Sequence, residues 1–312
     1  MAFQEVFDRC LAGAELKCSK EERPLKQIFG VGEMNIPAFN DRIERKYQIG
    51  ISEYEVAGFW RDLRSILGPY GLAPVQDITS VGSVYFDNKD CDLLRYSLFG
   101  RLMIVRVRTY EMFGRLPKPI TDFWVEVKTA VGERRKKRRI RLTKSALLEF
   151  LDGRDAGEIV FEYNENGAGR DVIGDLYRET QETVLTMGLK PILMVLCKRV
   201  AFQGKGERLS IDWDIQYHHV SNDIFDNDSW KYLAEKPAGK ADKVILETKY
   251  VEGDVPVWFG ELQRRYPIWR REFLKPVEGM GFLFKGPLKQ HKEADTFVRM
   301  TESYLANSQP LG

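Results

Sequence analysis

The feature that most restricts the fold of this 312-residue chain is an alternation of apolar and charged side chains that recurs in many short segments. In one of them, Val105 and Val107 alternate with Arg106 and Arg108. Successive side chains of a β-strand point to opposite faces, so a period of two predicts strands with one apolar and one polar face. With Gly- or Pro-containing turns between segments, the pattern predicts about eight long strands: residues 42–49, 81–88, 102–110, 123–130, 136–142, 192–202, 208–215 and 243–250.

Helical periodicity is confined to segments before, between and after these strands. Ser52 and Glu55 form a capping-box pattern that opens a helix ending near residue 67. Other helices are predicted at about residues 1–20, 143–151, 174–187, 256–265 and 293–306. Since there is no internal repeat and no linker-like stretch, we predict one α+β fold, an antiparallel sheet or barrel with helices packed outside.

The polar rows of the predicted strands carry mixed charge and are rich in arginine. Glu126 and Lys128, for example, share one face of their strand, and Arg208, Ser210, Asp212 and Asp214 form the polar row of another. One interpretation is that these rows are the solvated faces of amphipathic strands. The other is that helices cover the apolar faces while the charges line a basic lumen for a polyanion, because arginine suits bidentate recognition of phosphate. A divalent metal on the interspersed carboxylates would then bridge to phosphate oxygens.

Composition argues against several other classes of protein. The 48 Lys and Arg residues nearly balance 46 Asp and Glu residues, and the net charge of +2 does not favour nucleic-acid binding. The longest apolar run, residues 192–197, is far shorter than the roughly 20 residues of a membrane-spanning helix. The first residues show no secretory signal pattern, so we expect a cytoplasmic location. Four cysteines without CxxC spacing and three histidines do not indicate zinc, so a metal would be Mg²⁺ or Mn²⁺ on carboxylates.

Seven short motifs occur in an order that resembles one known family. They are ERKY at 44–47, SVYFDN at 83–88, RVR at 106–108, VEVKT at 125–129, KRVAFQ at 198–203, RLSID at 208–212 and LETK at 246–249. Over roughly residues 40–280 they are similar to the VTC domain, the polyphosphate polymerase domain of vacuolar transporter chaperone complexes and their bacterial relatives. That family lies within the CYTH, or triphosphate tunnel metalloenzyme, superfamily.

The resemblance implies an eight-stranded antiparallel β-barrel, a tunnel whose polar, basic lumen binds triphosphate or polyphosphate. The catalytic residues that it implies are Arg106, Arg108, Lys128, Arg199 and Arg208. The phosphate-binding residues that it implies are Lys46, Arg106, Arg108, Lys128, Lys137, Arg139, Arg199, Arg208, Lys249 and Lys275. Glu247 is the implied principal metal ligand, with Glu44 and Glu126 as secondary ligands. For the basic run that holds Lys137 and Arg139, a solvated hairpin or a nuclear-localisation-like patch are the other interpretations.

The implied activity is metal-dependent transfer of the terminal phosphoryl group of a nucleoside triphosphate, ATP in the first place, to a growing polyphosphate chain. Three positions depart from the family pattern, Ala130 where some polymerases have His, and Cys197 and Lys198 where Tyr-Asn is usual. A triphosphatase and a non-catalytic polyphosphate-binding sensor therefore stay open. Nucleic-acid binding through the basic run is a third alternative, but the near-neutral net charge and the absence of a nucleic-acid motif weaken it, so we expect no nucleic-acid partner. We expect an N-terminal helix and loop at 1–40, the tunnel domain at 41–285 and a helical tail at 286–312. Any membrane or regulatory partner would act in trans.

Overall fold

An eleven-stranded antiparallel sheet organises the protein, as seen in a computed structural model. The structure describes residues 42–52, 54–75, 78–112, 123–131, 134–164, 170–204, 206–225, 236–251, 255–271 and 273–307. These residues all belong to one compact unit, Ala38–Gly312. The helix and loop predicted for residues 1–40 lie outside the described part of the chain.

The sheet contains eight long strands and three short ones. The long strands are β1 (Arg42–Ile49), β3 (Thr79–Asp87), β4 (Met103–Met112), β5 (Phe123–Val131), β6 (Arg134–Leu142), β7 (Lys190–Gln203), β8 (Arg208–His219) and β10 (Val244–Val251). The short strands are β2 (Ala73–Pro74), β9 (Gly239–Ala241) and β11 (Ile268–Arg270). All eight predicted long strands are confirmed, because the period-two signal is strong wherever one face is apolar.

Eight helices accompany the sheet in the described part of the chain. They are α1 (Val56–Leu67), α2 (Asp92–Leu98), α3 (Lys144–Leu151), α4 (Gly157–Tyr163), α5 (Arg170–Thr186), α6 (Val257–Arg265), α7 (Lys275–Lys285) and α8 (Ala294–Asn307). The predictions for α1, α3, α5, α6 and α8 are confirmed, whereas α2, α4 and α7 were not predicted. In α7, Gly279 and Gly281 lower helix propensity, whereas Pro276 lies in the first turn, where proline is tolerated. Tertiary packing therefore stabilises a helix that its two interior glycines disfavour. No helix among the described residues is long and apolar enough to cross a membrane.

The predicted closed eight-stranded barrel is wrong. The strand order is β11-β1-β10-β8-β7-β3-β4-β5-β6, with β2 on β7 and β9 on β8, and no described pairing joins β6 to β1 or β11. On the β6 edge, the side chain of Asn164 accepts a hydrogen bond from the Arg141 N–H (3.0 Å) and donates one to the Arg141 carbonyl (2.8 Å). On the other edge, β11 pairs with the end of β1. Backbone groups that barrel closure would use at these points already have partners.

The open sheet is nevertheless strongly curled. Five ladder steps separate β5 from β10, which would be about 24 Å in a flat sheet. Yet Glu44 of β1 and Glu247 of β10 both act on the pKa of Lys128 in β5. Coulomb interactions weaken with distance, so these carboxylates lie closer to Lys128 than a flat sheet would place them. The two ends of the sheet therefore approach each other, and the face that carries these charges lies inside the curl.

Helices cover both faces of the curled sheet. On the outer face, α1 and α6 pack over apolar side chains of β1, β7, β8 and β10, including Phe202, Ile211 and Leu246. On part of the inner face, α7 and α8 pack with Leu193 and Tyr217 in a second core. Complete burial of side chains of this size contributes about 1.5–3 kcal/mol each, so both layers help to hold the curl.

Candidate active site

The strand register places all the predicted cations except Lys275 on one face of the sheet. Residues directly opposite each other on antiparallel strands share a face, and the pairs Lys46–Glu247, Lys249–Arg208, Arg199–Asp212, Arg106–Glu126 and Lys128–Lys137 are opposite each other. Alternation along each strand connects these pairs into one surface, which we call the inner face. The cations that the register places there are Lys46, Arg106, Arg108, Lys128, Lys137, Arg139, Arg199, Arg208 and Lys249.

The inner face is divided into a polar part and an apolar part. On β7, Leu193, Val195 and Cys197 precede Arg199 on the same face. Leu193, Val195 and Cys197 belong to the core that α7 covers, and a Cβ atom on Gly279 of α7 would lie within 3 Å of the Leu193 side chain. The charged surface therefore ends on this strand at Arg199, where α7 begins.

A first charged cluster is centred on Glu126 of β5, whose side chain is fully buried. The Arg106 Nε donates a hydrogen bond to Glu126 at 2.7 Å, and Lys137 Nζ lies 2.5 Å from the other carboxylate oxygen. Arg106 also donates to the Tyr85 hydroxyl at 3.1 Å, while Arg108 lies 3.9 Å from Glu126. Burial alone would raise the pKa of Glu126, but the surrounding cations hold it well below its usual value. Glu126 is therefore a counter-ion for the arginines.

A second cluster is centred on Asp212 of β8, which is 3% exposed. Arg199 donates two parallel hydrogen bonds to its carboxylate, at 2.6 and 2.7 Å. Lys275, at the start of α7, donates to Asp212 at 2.6 Å and to the Cys197 sulfur at 3.1 Å. Burial opposes ionisation here too, yet the two cations keep the pKa of Asp212 below its usual value. The helix that covers the apolar part thus brings Lys275 to the inner face.

A third cluster brings together Glu44 and Glu247 with two lysines. Lys249 Nζ lies 2.7 Å from Glu247 and 3.4 Å from Glu44, and Lys46 lies 4.0 Å from Glu44. The Lys46 amine also donates to the Phe273 carbonyl at 2.8 Å. The Glu247 charge raises the pKa of Glu44, and burial does the same, but the nearby lysines outweigh both, so the pKa of Glu44 stays below normal. Both carboxylates are ionised at neutral pH.

Lys128 differs from these cations because it has no ion-pair partner among the residues that the structure describes. Burial, followed by repulsion from Arg106, lowers the pKa of its amine well below the usual value, although Glu44 and Glu247 act in the opposite direction. Burial and like charges are the two effects that disfavour an ammonium group. A bound anion beside Lys128 would relieve both.

The two remaining predicted cations make other contacts. The guanidinium of Arg139 lies over the Trp124 ring, 4.4 Å from its centroid, and the residue is exposed. The Arg208 Nε donates to the Ser210 hydroxyl at 3.4 Å. Both lie on the inner face, Arg139 opposite Glu126 and Arg208 opposite Lys249.

A divalent metal fits one part of this site. Mg²⁺ is usually bound by one or two carboxylates together with substrate phosphates, and Glu44 and Glu247 offer such a pair. The described residues contain no group of three or more metal-ligating side chains. Glu126 in particular is engaged by Arg106 and Lys137, so the structure does not bring it into a carboxylate cluster with the other two glutamates.

Sequence reasoning missed the role of one acid in these clusters and misplaced another. Asp212 was recognised only as an acid in a polar row, since alternation cannot show that it pairs with both Arg199 and Lys275. Asp214 was predicted in the same row as Asp212, but this is wrong. The register between β7 and β8 shifts there, Asp214 has a φ of 48°, and its carboxylate pairs with Lys198 at 3.0 Å. A bulge of this kind turns a side chain out of the regular alternation.

Comparison with known proteins gives one related sequence and several similar folds. Subunit 4 of the vacuolar transporter chaperone complex from Trypanosoma brucei brucei is 28% identical over 233 residues, which cover 65% of this chain. The match spans only 28% of the length of that relative. A candidate adenylate cyclase from Bacillus halodurans has a TM-score of 0.40 at 16% identity, over 77% of this chain and 96% of its own. An adenylyl cyclase candidate from Hippeastrum with a dominant triphosphatase activity has a TM-score of 0.33 at 12% identity. That match covers 72% of this chain and 85% of the Hippeastrum protein.

At these TM-scores the structural neighbours add nothing to the assignment, which rests on sequence. The family model of the VTC domain matches residues 30–283, a span that contains all ten predicted phosphate-binding residues and the three glutamates predicted to bind metal. The family resemblance in the seven strand motifs is thereby confirmed, and the chain belongs to the VTC domain family.

Proposed function

We propose that this protein transfers the terminal phosphoryl group of a nucleoside triphosphate, ATP in the first place, to a growing polyphosphate chain. Membership of the VTC domain family supports this activity. The main structural support for this activity is the excess of positive charge on the inner face. Ten cations meet there, counting Lys275, and the carboxylates among them are Glu44, Glu126, Asp212 and Glu247.

An enclosed surface with this charge excess favours a ligand with several negative charges. Crowded cations repel each other, and their repulsion is stronger where water is excluded. A triphosphate or polyphosphate would compensate several of them at once, and guanidinium groups match phosphate oxygens bidentately. The depressed pKa of Lys128 supports this crowding at that position.

The same groups suit phosphoryl transfer, which needs position and charge neutralisation more than a side-chain nucleophile. Arg106 and Arg199 are held rigid by their buried carboxylates, so they are prepared for charge that develops on the transferred group. In our assignment, Glu247 is the principal ligand for Mg²⁺ or Mn²⁺, and Glu44 is the second. When bound, the metal would neutralise phosphate oxygens. We leave Glu126 out of the metal set.

A second candidate is a triphosphatase, in which water replaces the polyphosphate end as the attacking group. The position of α7 favours it, because this helix fills the inner face of β7 and β8 beyond Arg199 and Asp212. A long product chain cannot leave in that direction. The polymerase would need donor and acceptor to share the remaining openings of the curled sheet.

One assay separates these candidates. The protein is incubated with ATP and Mn²⁺ or Mg²⁺, and products are resolved as long acid-labile chains and as orthophosphate. Long chains that require the metal support the polymerase, whereas orthophosphate alone supports the triphosphatase. Binding of tripolyphosphate without turnover would contradict both and leave a polyphosphate sensor.

The relative from Trypanosoma is by name a subunit of a complex. We therefore propose that residues 41–285 carry the activity and that a regulatory or membrane partner acts on them in trans. Co-purification of the tagged chain from its native cells tests this, and a purified chain that is fully active without any partner would argue against it.

A further inference from the structure

Two buried carboxylates on the inner face each pair with one arginine and one lysine. Asp212 accepts the two hydrogen bonds of Arg199 on its two oxygens, whereas Glu126 accepts both bonds of Arg106 on one oxygen and faces Lys137 with the other. Glu126 and Asp212 lie on different strands, β5 and β8, and they are 0% and 3% exposed. Each carboxylate therefore occupies the edge of a guanidinium that would otherwise bind a phosphate group.

We propose that Glu126 and Asp212 act as resident counter-anions that determine which anions the site accepts. This inference rests on the proposed function only in taking phosphate compounds as the ligands. A free anion that approaches Arg199 must compete with Asp212 for the same donors. Asp212 is tethered beside them, so its effective concentration far exceeds that of a dissolved ion. Orthophosphate and sulfate are therefore excluded.

A phosphate chain escapes this competition because it contacts both clusters and the cations between them. Arg199 gives two of its five N–H groups to Asp212, so other donors remain for a ligand that is already anchored elsewhere. Lys128, which lacks a partner among the described residues, offers one such anchor. A longer ligand is repelled by both carboxylates, but it also reaches more cations, and the cations of the inner face outnumber its carboxylates. Specificity thus combines attraction for the chain with repulsion of short anions.

The alternative roles of these carboxylates predict different behaviour. As a metal ligand, Glu126 would determine the affinity for Mn²⁺. As a purely structural group, it would change stability without changing which anions bind. As a counter-anion, its neutralisation would open the Arg106 donors to small anions.

The test uses the neutral variants Glu126→Gln and Asp212→Asn with matched controls. Glu179→Gln removes a carboxylate that pairs with Arg138, and Asp214→Asn removes one on the same strand as Asp212. Asparagine tolerates the positive φ of position 214. Binding of orthophosphate, sulfate and inorganic tripolyphosphate is measured by calorimetry on the full chain, and Mn²⁺ binding is measured separately.

Both inner-face variants are expected to bind orthophosphate and sulfate at least about tenfold more tightly than the parent. Their affinity for tripolyphosphate changes less, so selectivity for the chain falls. The two controls keep the selectivity of the parent. Glu126→Asp keeps the negative charge, so it is expected to keep most of the selectivity of the parent.

Unchanged or weaker orthophosphate binding in both variants would overturn the proposal, as would a loss of Mn²⁺ affinity in Glu126→Gln. If Glu126→Gln does not fold, the result for Asp212→Asn alone tests the proposal, because Asp212 lies in the other cluster. These measurements need no turnover. Absence of activity with the expected binding pattern would refute the proposed function and leave this inference intact.

Discussion

Replacement of Arg106 by methionine is expected to destabilise the ligand-free protein, because it removes the main partner of a fully buried carboxylate. Arg106 donates two hydrogen bonds to Glu126 and one to Tyr85. Loss of one partner of a buried ion pair costs about 3–5 kcal/mol. Lys137 stays within 2.5 Å of Glu126, so we expect the lower end, about 3 kcal/mol.

Lys128→Met on the neighbouring strand is expected to have the opposite effect. The pKa of Lys128 is depressed, first by burial and then by Arg106, so its charged form is unfavourable in the folded state. Methionine keeps an apolar stem of similar length and removes the charge. The free energy of unfolding should stay unchanged or rise by about 1 kcal/mol.

Urea denaturation with linear extrapolation measures both effects. Repeating it with tripolyphosphate should show that both variants lose much of the ligand-induced stabilisation, because each loses a phosphate-binding cation. An Arg106→Met variant as stable as the parent would refute the assignment of Glu126 as a buried counter-ion. A loss of more than about 2 kcal/mol in Lys128→Met would refute the proposed charge crowding.

Three further predictions concern the metal, the pH dependence and α7. Glu247→Gln should abolish the rise in Tm that Mn²⁺ or Mg²⁺ causes, but tripolyphosphate should still bind without metal. Glu261→Gln at an exposed ion pair is the control and should change neither the metal-induced rise in Tm nor tripolyphosphate binding. If the metal raises the Tm of Glu247→Gln as much as that of the parent, Glu247 does not have its assigned role. Burial raises the pKa of Asp87 to about 6, above the value of about 3.9 in an unfolded chain. The proton on Asp87 therefore stabilises the fold at low pH, and about 3 kcal/mol is lost as pH rises from about 4 through 6. Asp87→Asn should remove that slope from the unfolding free energy, and an unchanged slope would assign it to other groups. Gly279→Ala should lower the free energy of unfolding by about 1–3 kcal/mol, because its Cβ would meet core side chains at 2.7 Å. Gly260→Ala in α6, with open space around it, should not destabilise the protein. Equal effects of the two substitutions would contradict the packing of α7 on the inner face.

The strands were predictable because their signal is local. On β4, Arg106 and Arg108 alternate with valines, and the structure keeps that alternation, so both arginines share the inner face. The pairing of Glu126 with Arg106 joins residues 20 positions apart on adjacent strands. The sequence indicates that these side chains lie on the same face of the sheet. It does not indicate which acid lies opposite which base, because register depends on turns and on the packing of the whole sheet.

Other features of the site lie beyond local patterns. Asp214 departs from the row of Asp212 because a bulge shifts the register between β7 and β8. Lys275 reaches Asp212 from a helix that is 63 residues away in sequence. No described pairing closes the barrel, and Asn164 pairs with the edge of β6 at Arg141, a contact that no strand periodicity indicates.

By itself the sequence determined which segments are strands, which side chains share a face and which family the motifs resemble, since alternation and motif order are properties of neighbouring residues. Tertiary structure alone decided that the sheet curls without closing, that α7 fills part of the inner face and that Glu126 and Asp212 hold the arginines. Those outcomes depend on distant groups competing for the same hydrogen bonds and the same buried space, and that competition is settled only when the whole chain packs.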